Sequence, residues 1–172
     1  MLELIGNFEF DNKLFYMFKK QNTIWFALKE AKKSLKKEET PVGAVIVKDG
    51  IIISRAHNLK ETKHDCTNHA EILAIKKACK KLNSWRLTGC TIYVTLEPCS
   101  MCTGALILSR IDKVVIGTMD EKTGACGSVL NLSKDYKFNH TLNIEHGVLE
   151  DECKNIIQEF FKDLRIKKKN IK

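Results

Sequence analysis

Two short segments of this 172-residue chain carry the residue types that do chemistry: His69-Ala70-Glu71 and Pro98-Cys99-Ser100-Met101-Cys102. His69, Cys99 and Cys102 offer three zinc ligands. A structural zinc site closes with four protein ligands, whereas a hydrolytic site keeps three and leaves the fourth position to water. Bound zinc lowers the pKa of that water to about 7, so a hydroxide nucleophile is available at neutral pH. Glu71, two residues beyond the first ligand, suits the carriage of protons to and from that water better than a fourth ligand position. The plainer reading is a surface histidine, an incidental or redox cysteine pair and a glutamate favoured by a helix N-terminus. It accounts for each residue alone and not for their combination. No second C-x-x-C is present, so a four-cysteine ribbon is excluded.

The ligands need a scaffold that brings residue 69 to residues 99 and 102. Both motifs follow strand-like segments and open helices, where the positive end of the macrodipole favours thiolate over thiol. Apolar spacing at Ile24, Leu28, Ala31 and Leu35 predicts a helix over about 22–38, ended by Thr40-Pro41. Residues 42–47 and 51–58 read as strands about an Asp49-Gly50 hairpin turn, followed by a polar, irregular stretch over 59–68. A helix over 70–82, a strand over 91–96, a helix over 99–110 and a strand over 113–117 come next. Residues 118–140 read as loop with one helical turn near Val129, and 141–144 as a last strand. Cys153, Ile156, Ile157, Phe160, Phe161 and Leu164 form one stripe on a final helix, acidic at its start and basic at its end. The alternation predicts an α/β protein: three layers, α/β/α, with a mixed five-stranded sheet and helices on both faces. Ligands then meet at strand-to-helix turns along one edge of the sheet.

Composition bounds the rest. A chain of this length buries a core without disulfides, and 44% hydrophobic with 29% charged residues is ordinary for a globular protein. Seven scattered cysteines argue against a disulfide framework and for a reducing compartment. No stretch approaches the roughly 18 apolar residues of a membrane span, and the start lacks the pattern of a leader or transit peptide, so the cytoplasm is expected. The net charge of +8 is compatible with a phosphate-rich partner, although the abundance of lysine, asparagine and isoleucine yields the same charge without one.

The H-x-E…P-C-x-x-C order resembles the zinc nucleobase deaminase signature. From about Asn22 to Lys167 the chain resembles a bacterial tRNA-specific adenosine deaminase of the cytidine deaminase-like superfamily. The matching stretches include Pro41-Val42-Gly43-Ala44-Val45, Ala56-His57-Asn58, Tyr93 to Cys99, Ser109-Arg110-Ile111, Asp120 to Ala125 and Phe160-Phe161. The metal motif covers the whole superfamily; Lys122-Thr123-Gly124-Ala125 and the Phe-Phe basic tail single out the tRNA enzyme. The resemblance implies hydrolysis of adenosine to inosine at the wobble position of a tRNA anticodon. It makes His69, Cys99 and Cys102 the ligands of one zinc ion and Glu71 the proton shuttle. It makes Asn58 the residue that orients the flipped nucleoside and turns the Ala70 amide to the attacked carbon. Pro41 and Val42 become apolar walls of the base pocket, Asp120 a contact to the anticodon-loop backbone and Phe161 part of an RNA-facing helix. The implied partners are a tRNA anticodon stem-loop and a second copy of the chain. Residues 21–172 form the deaminase domain, and 1–20 are an N-terminal extension of unknown role. Their aromatic-rich sequence suits packing on the domain or across an oligomer contact. Met119 stands where a basic residue is common, and Cys126 is open to oxidation if exposed.

Two other readings stay open on the residues alone. A small-molecule deaminase of free guanine, cytosine or a cytidine nucleotide would use identical metal chemistry. A non-catalytic RNA-binding subunit would hold a structural zinc, but would tend to lose the glutamate or gain a fourth ligand.

Overall fold

Alternate residues of a strand point to opposite faces, and along three strands of this chain both faces are apolar. In the computed structural model, which describes residues 2–170 and side chains over 19–170, Ala44, Ile46, Ile92, Val94, Val114 and Ile116 enter one core. Val45, Tyr93 and Val115 enter a second. A sheet apolar on both faces must be covered on both.

The elements run α1 (Leu2–Leu35), β1 (Gly43–Lys48), β2 (Ile51–His57), α2 (Lys60–Lys63), α3 (Ala70–Leu82), β3 (Cys90–Leu96), α4 (Ser100–Leu108), β4 (Lys113–Thr118), α5 (Leu132–Asp135), β5 (Asn143–His146) and α6 (Glu150–Lys169). The strands form one sheet in the order β2-β1-β3-β4-β5. Pairing is antiparallel on both sides of β1 and parallel from β3 to β5. Ile24, Ala27, Leu28 and Ala31 of α1 and Cys153 and Ile156 of α6 cover one face. Ala70, Ala74, Ile75 and Ala78 of α3 and Leu106 and Ile107 of α4 cover the other. This is the expected three-layer α/β/α arrangement with a mixed five-stranded sheet. Helix α1 lies so close to the sheet that a Cβ on Gly43 would fall 2.0 Å from the Ala27 carbonyl oxygen.

Several boundaries differ from the sequence reading. Helix α1 starts at Leu2 and not near 22, because no proline occurs before Pro41 and the dense apolar run at 14–18 hides the helical period. It runs unbroken through the extension, and the side chains over 1–18 lie outside the described residues. It also stops earlier than expected, at Leu35, where Glu38 takes a left-handed conformation (φ 57°). The stretch 59–68 contains the one-turn helix α2, held by a residue distant in sequence: the Glu39 carboxylate accepts from the Glu61 and Thr62 amides at 3.1 and 2.6 Å. The turn placed near Val129 is α5, started by Asn131, whose side chain accepts from the Lys134 amide. The last strand is shifted to 143–146 by its parallel pairing with β4.

Candidate active site

Register alone brings the two motifs together. Gly43 pairs with His57, and Ala44 with Val94, so the start of β1 meets the ends of β2 and β3. Leu96 pairs with Thr118, which adds the end of β4. Segments 40–42, 58–71, 96–102 and 118–124 therefore leave the sheet at one end.

Both ligand segments sit where a strand-to-helix turn forms a helix cap. His69 is the N-cap of α3 and Cys99 the N-cap of α4, each with extended backbone and no side-chain capping bond. Their side chains thus stay free to face each other. Cys102 lies in the first turn of α4 and is buried. His69 Nδ1 stands 3.7 Å from Cys99 Sγ and 3.5 Å from Cys102 Sγ. A tetrahedral zinc with bonds of about 2.0 Å to nitrogen and 2.3 Å to sulfur needs a nitrogen-to-sulfur separation of about 3.5 Å. The donor set fits that metal, and it is the one such group among the described residues. The two sulfurs compete for one proton. A hydrogen bond with Cys102, joined by one with His69 against partial burial, holds the Cys99 thiol down to about 4, while the Cys102 thiol is pushed up.

Glu71, in the first turn of α3, is buried at 3% exposure. Burial pushes its carboxyl up to about 7, and its Oε2 has no hydrogen-bond partner. An unpaired buried carboxyl oxygen beside a metal-ligand set is the arrangement a proton carrier needs.

Asn58 is held at three points. Its amide donates to the Val42 carbonyl at 3.2 Å, its carbonyl accepts from Ser34 Oγ, and its Oδ1 accepts from the Ala70 amide at 2.8 Å. The side-chain amide nitrogen is the group left for a bound molecule. The Ala70 N–H is thereby engaged by Asn58, not turned to a substrate atom.

These residues open into a cleft of about 1200 Å³. Val42, Asn58, His69, Glu71 and Cys99 line it, together with Asp120, Phe161, Lys162 and Arg165. Pro41 is buried and does not line it; Thr40 does. The Asp120 carboxylate is turned into its own loop, accepting from the Lys122 amide at 2.9 Å and Thr123 Oγ1 at 2.6 Å. Phe161, 42% exposed, faces the cleft although it lies on the apolar stripe. Cys126 is buried beside Thr103 and so is shielded from oxidants; burial raises its thiol to about 12.

Glu97 is the residue the sequence reading passed over. It lies inside the quoted motif but spends its carboxylate on loop donors that pattern cannot reveal. Lys154 at the start of α6 also lines the cleft unannounced.

The geometry agrees with comparisons to known proteins. The family model for MafB19-like deaminases matches residues 18–165. The tRNA-specific adenosine deaminase of Bacillus subtilis (strain 168) is 54% identical over 83% of this chain and 89% of its own length. That of Aquifex aeolicus (strain VF5) is 52% identical over 81% of this chain and 91% of its own. A solved structure from work on A-to-I editing by tRNA:A34 deaminases at the wobble position superposes with a TM-score of 0.76. It is 38% identical and covers 78% of this chain and 98% of its own.

Proposed function

This chain belongs to the MafB19-like deaminase family and, within it, to the tRNA-specific adenosine deaminases, and on that footing we propose that it converts adenosine to inosine at the wobble position of a tRNA anticodon. The observation that carries the reading is the buried Glu71 carboxyl, one oxygen of which has no hydrogen-bond partner, beside the His69, Cys99 and Cys102 donors in a cleft lined also by Phe161, Lys162 and Arg165.

One zinc ion is the metal these donors suit, with His69 Nδ1 and the sulfurs of Cys99 and Cys102 as its ligands. When bound, it supplies Lewis acidity that readies a water for attack at neutral pH. The rest is the work of this chain's own residues. Glu71 accepts a proton from the attacking water and passes it to the ring nitrogen beside the attacked carbon. It then takes the proton of the hydroxyl now added at that carbon and delivers it to the amino group, which leaves as ammonia as the carbonyl forms. A carboxyl held near neutrality serves both transfers. Asn58, fixed by its bonds to Val42 and Ala70, offers its side-chain nitrogen to the purine, and Val42 gives the base an apolar wall. Ala70 acts behind that surface by anchoring Asn58, and Pro41 is buried next to Val42 in the chain. Phe161 offers an exposed ring on which an unstacked base can lie. Asp120 shapes the facing loop from which the RNA backbone is met.

The remaining elements of the reading follow from the substrate. A tRNA partner implies the cytoplasm, and among the described residues no helix is long and apolar enough to cross a membrane. A homodimer would cover Met101 and Leu108, apolar side chains that α4 leaves exposed. The division between an extension over 1–20 and a deaminase domain over 21–172 is supported by the start of the family match at residue 18.

The deciding experiment is a deamination assay on an anticodon stem-loop beside free guanine, cytosine and nucleosides. Inosine formed in the RNA, with the free compounds untouched, supports the reading. Turnover of the free compounds alone replaces it with the small-molecule deaminase.

A further inference from the structure

Glu97 is a buried carboxylate with no cationic partner among the contacts it makes. It stands directly after β3, at 3% exposure, and its own amide extends the β3–β4 pairing by donating to the Thr118 carbonyl at 2.9 Å. Its oxygens face the loop beyond β4. Oε1 accepts from the Cys126 amide at 2.8 Å and the Ser128 amide at 3.1 Å. Oε2 accepts from the Asp120 amide at 2.9 Å and from Ser128 Oγ. An ionised carboxylate has about four acceptor sites, so this one is saturated by loop donors and has nothing left for a substrate.

The loop is moulded to that anion. A Cβ on Gly124 would fall 2.1 Å from Glu97 Oε2 and 2.5 Å from the Asp120 carbonyl. The adjoining residue binds the same loop, since the Pro98 carbonyl accepts from the Ala125 amide at 2.9 Å, and Cys99 makes a bridge to Gly124. Residues 119–123 of this loop line the same cleft as Val42 and Asn58.

We propose that Glu97 is a positioning residue that fixes the 119–128 loop against the metal-ligand segment, and so sets the wall that receives the RNA. It lines the same cleft as Glu71, but the four hydrogen bonds its carboxylate accepts all come from the loop. Its removal should therefore loosen substrate binding and leave the chemical step in place. The kinetic part of this proposal rests on the RNA-editing reading; the structural part does not.

The test uses the metal-loaded full chain carrying Glu97→Gln. Glutamine keeps the size and one acceptor oxygen but sets an NH2 group against the Asp120 amide, where an acceptor is needed. Charge-assisted bonds of this kind are among the stronger ones. KM for an anticodon stem-loop should rise about tenfold while kcat stays within about threefold. Amide exchange at Asp120, Cys126 and Ser128 should accelerate while that of α3 is unchanged. Unchanged KM with unchanged loop exchange overturns the proposal, as does a fall in kcat at constant KM, which would make Glu97 part of the chemistry. Should Glu97→Gln fail to fold, Ser128→Ala removes one of the same bonds. A rise of about twofold in KM with faster exchange at Asp120 then supports the proposal, and no change in either overturns it. Wild-type protein inactive on the stem-loop would defeat the RNA reading, and the exchange measurement would still judge the loop.

Discussion

At Glu71, burial and the lack of a partner for one oxygen define a residue poised to exchange protons at neutral pH. Glu71→Ala should keep the fold and the metal, because the carboxylate is not among the ligand donors, and should lose turnover by about 10²–10⁴-fold or more. Metal analysis together with single-turnover deamination checks this, and near-normal turnover refutes the role. Cys99→Ser should differ in its metal content. It removes one soft ligand at the helix cap, so zinc content should drop along with activity, and a variant that binds zinc as tightly as wild type would remove Cys99 from the ligand set. Asn58 shows how little a residue name says on its own. Asparagine at a strand end reads equally as a turn former, and three bonds to Val42, Ser34 and Ala70 are what hold it at the cleft.

Among the elements, α6 divides its charge between two tasks. Lys162 and Arg165 line the cleft, whereas Lys167 bonds to Glu38 at 2.8 Å near the end of α1. Replacing Lys162 and Arg165 by Ala should flatten the dependence of log affinity on log salt by about 0.7 for each single-strand phosphate no longer neutralised. Lys167→Ala should change the slope less, since its ammonium already has a carboxylate partner. Titrations of an anticodon stem-loop over a salt series measure both, and an equal effect from the two variants would mean that the tail end, and not the cleft wall, meets the RNA. Contact between α1 and β1 is a matter of backbone proximity. Gly43→Ala drives a methyl to within 2.0 Å of the Ala27 carbonyl and should destabilise the protein by about 1–3 kcal/mol, the usual cost of overpacking. Urea unfolding checks this, and an unchanged midpoint would mean that α1 shifts freely on the sheet.

Over the whole molecule, buried or half-buried carboxylates tie distant segments together. Burial raises the Glu39 carboxyl, but the Thr62 and Glu61 amides outweigh that and hold it below its usual value of 4.5. Burial likewise opposes Glu145, where Lys113 and Lys20 prevail and join α1 to the edge of the sheet. A folded-state pKa below the unfolded one means that the unfolded chain binds more protons as pH falls. The stability these groups contribute is therefore present above about pH 4.5 and is lost as pH drops through the lowered values. Tm should fall through this acid range, and Glu39→Gln, less stable near neutrality, should show a shallower fall. A wild-type Tm independent of pH below 4.5 would contradict it.

Residue types and their spacing were enough to propose the chemistry and to read most of the architecture. A metal demands particular donor atoms, and a proton carrier a carboxyl, so His69, Glu71, Cys99 and Cys102 are legible in the chain before it is folded. Continuous apolar runs expose β1, β3 and β4 in the same way, because both faces of the sheet are buried. Whatever depends on distant partners emerged only in the folded chain. The backbone register that joins β1 to β2 and β3 makes the cleft, the amide of Ala70 goes to Asn58, and the Glu97 carboxylate disappears into the 119–128 loop. Helix α1 passed unnoticed over its first half because the dense apolar run at 14–18 hides the helical period. Phe161 is exposed at the cleft because the stripe of α6 continues beyond Ile156 and Ile157, which pack on the core.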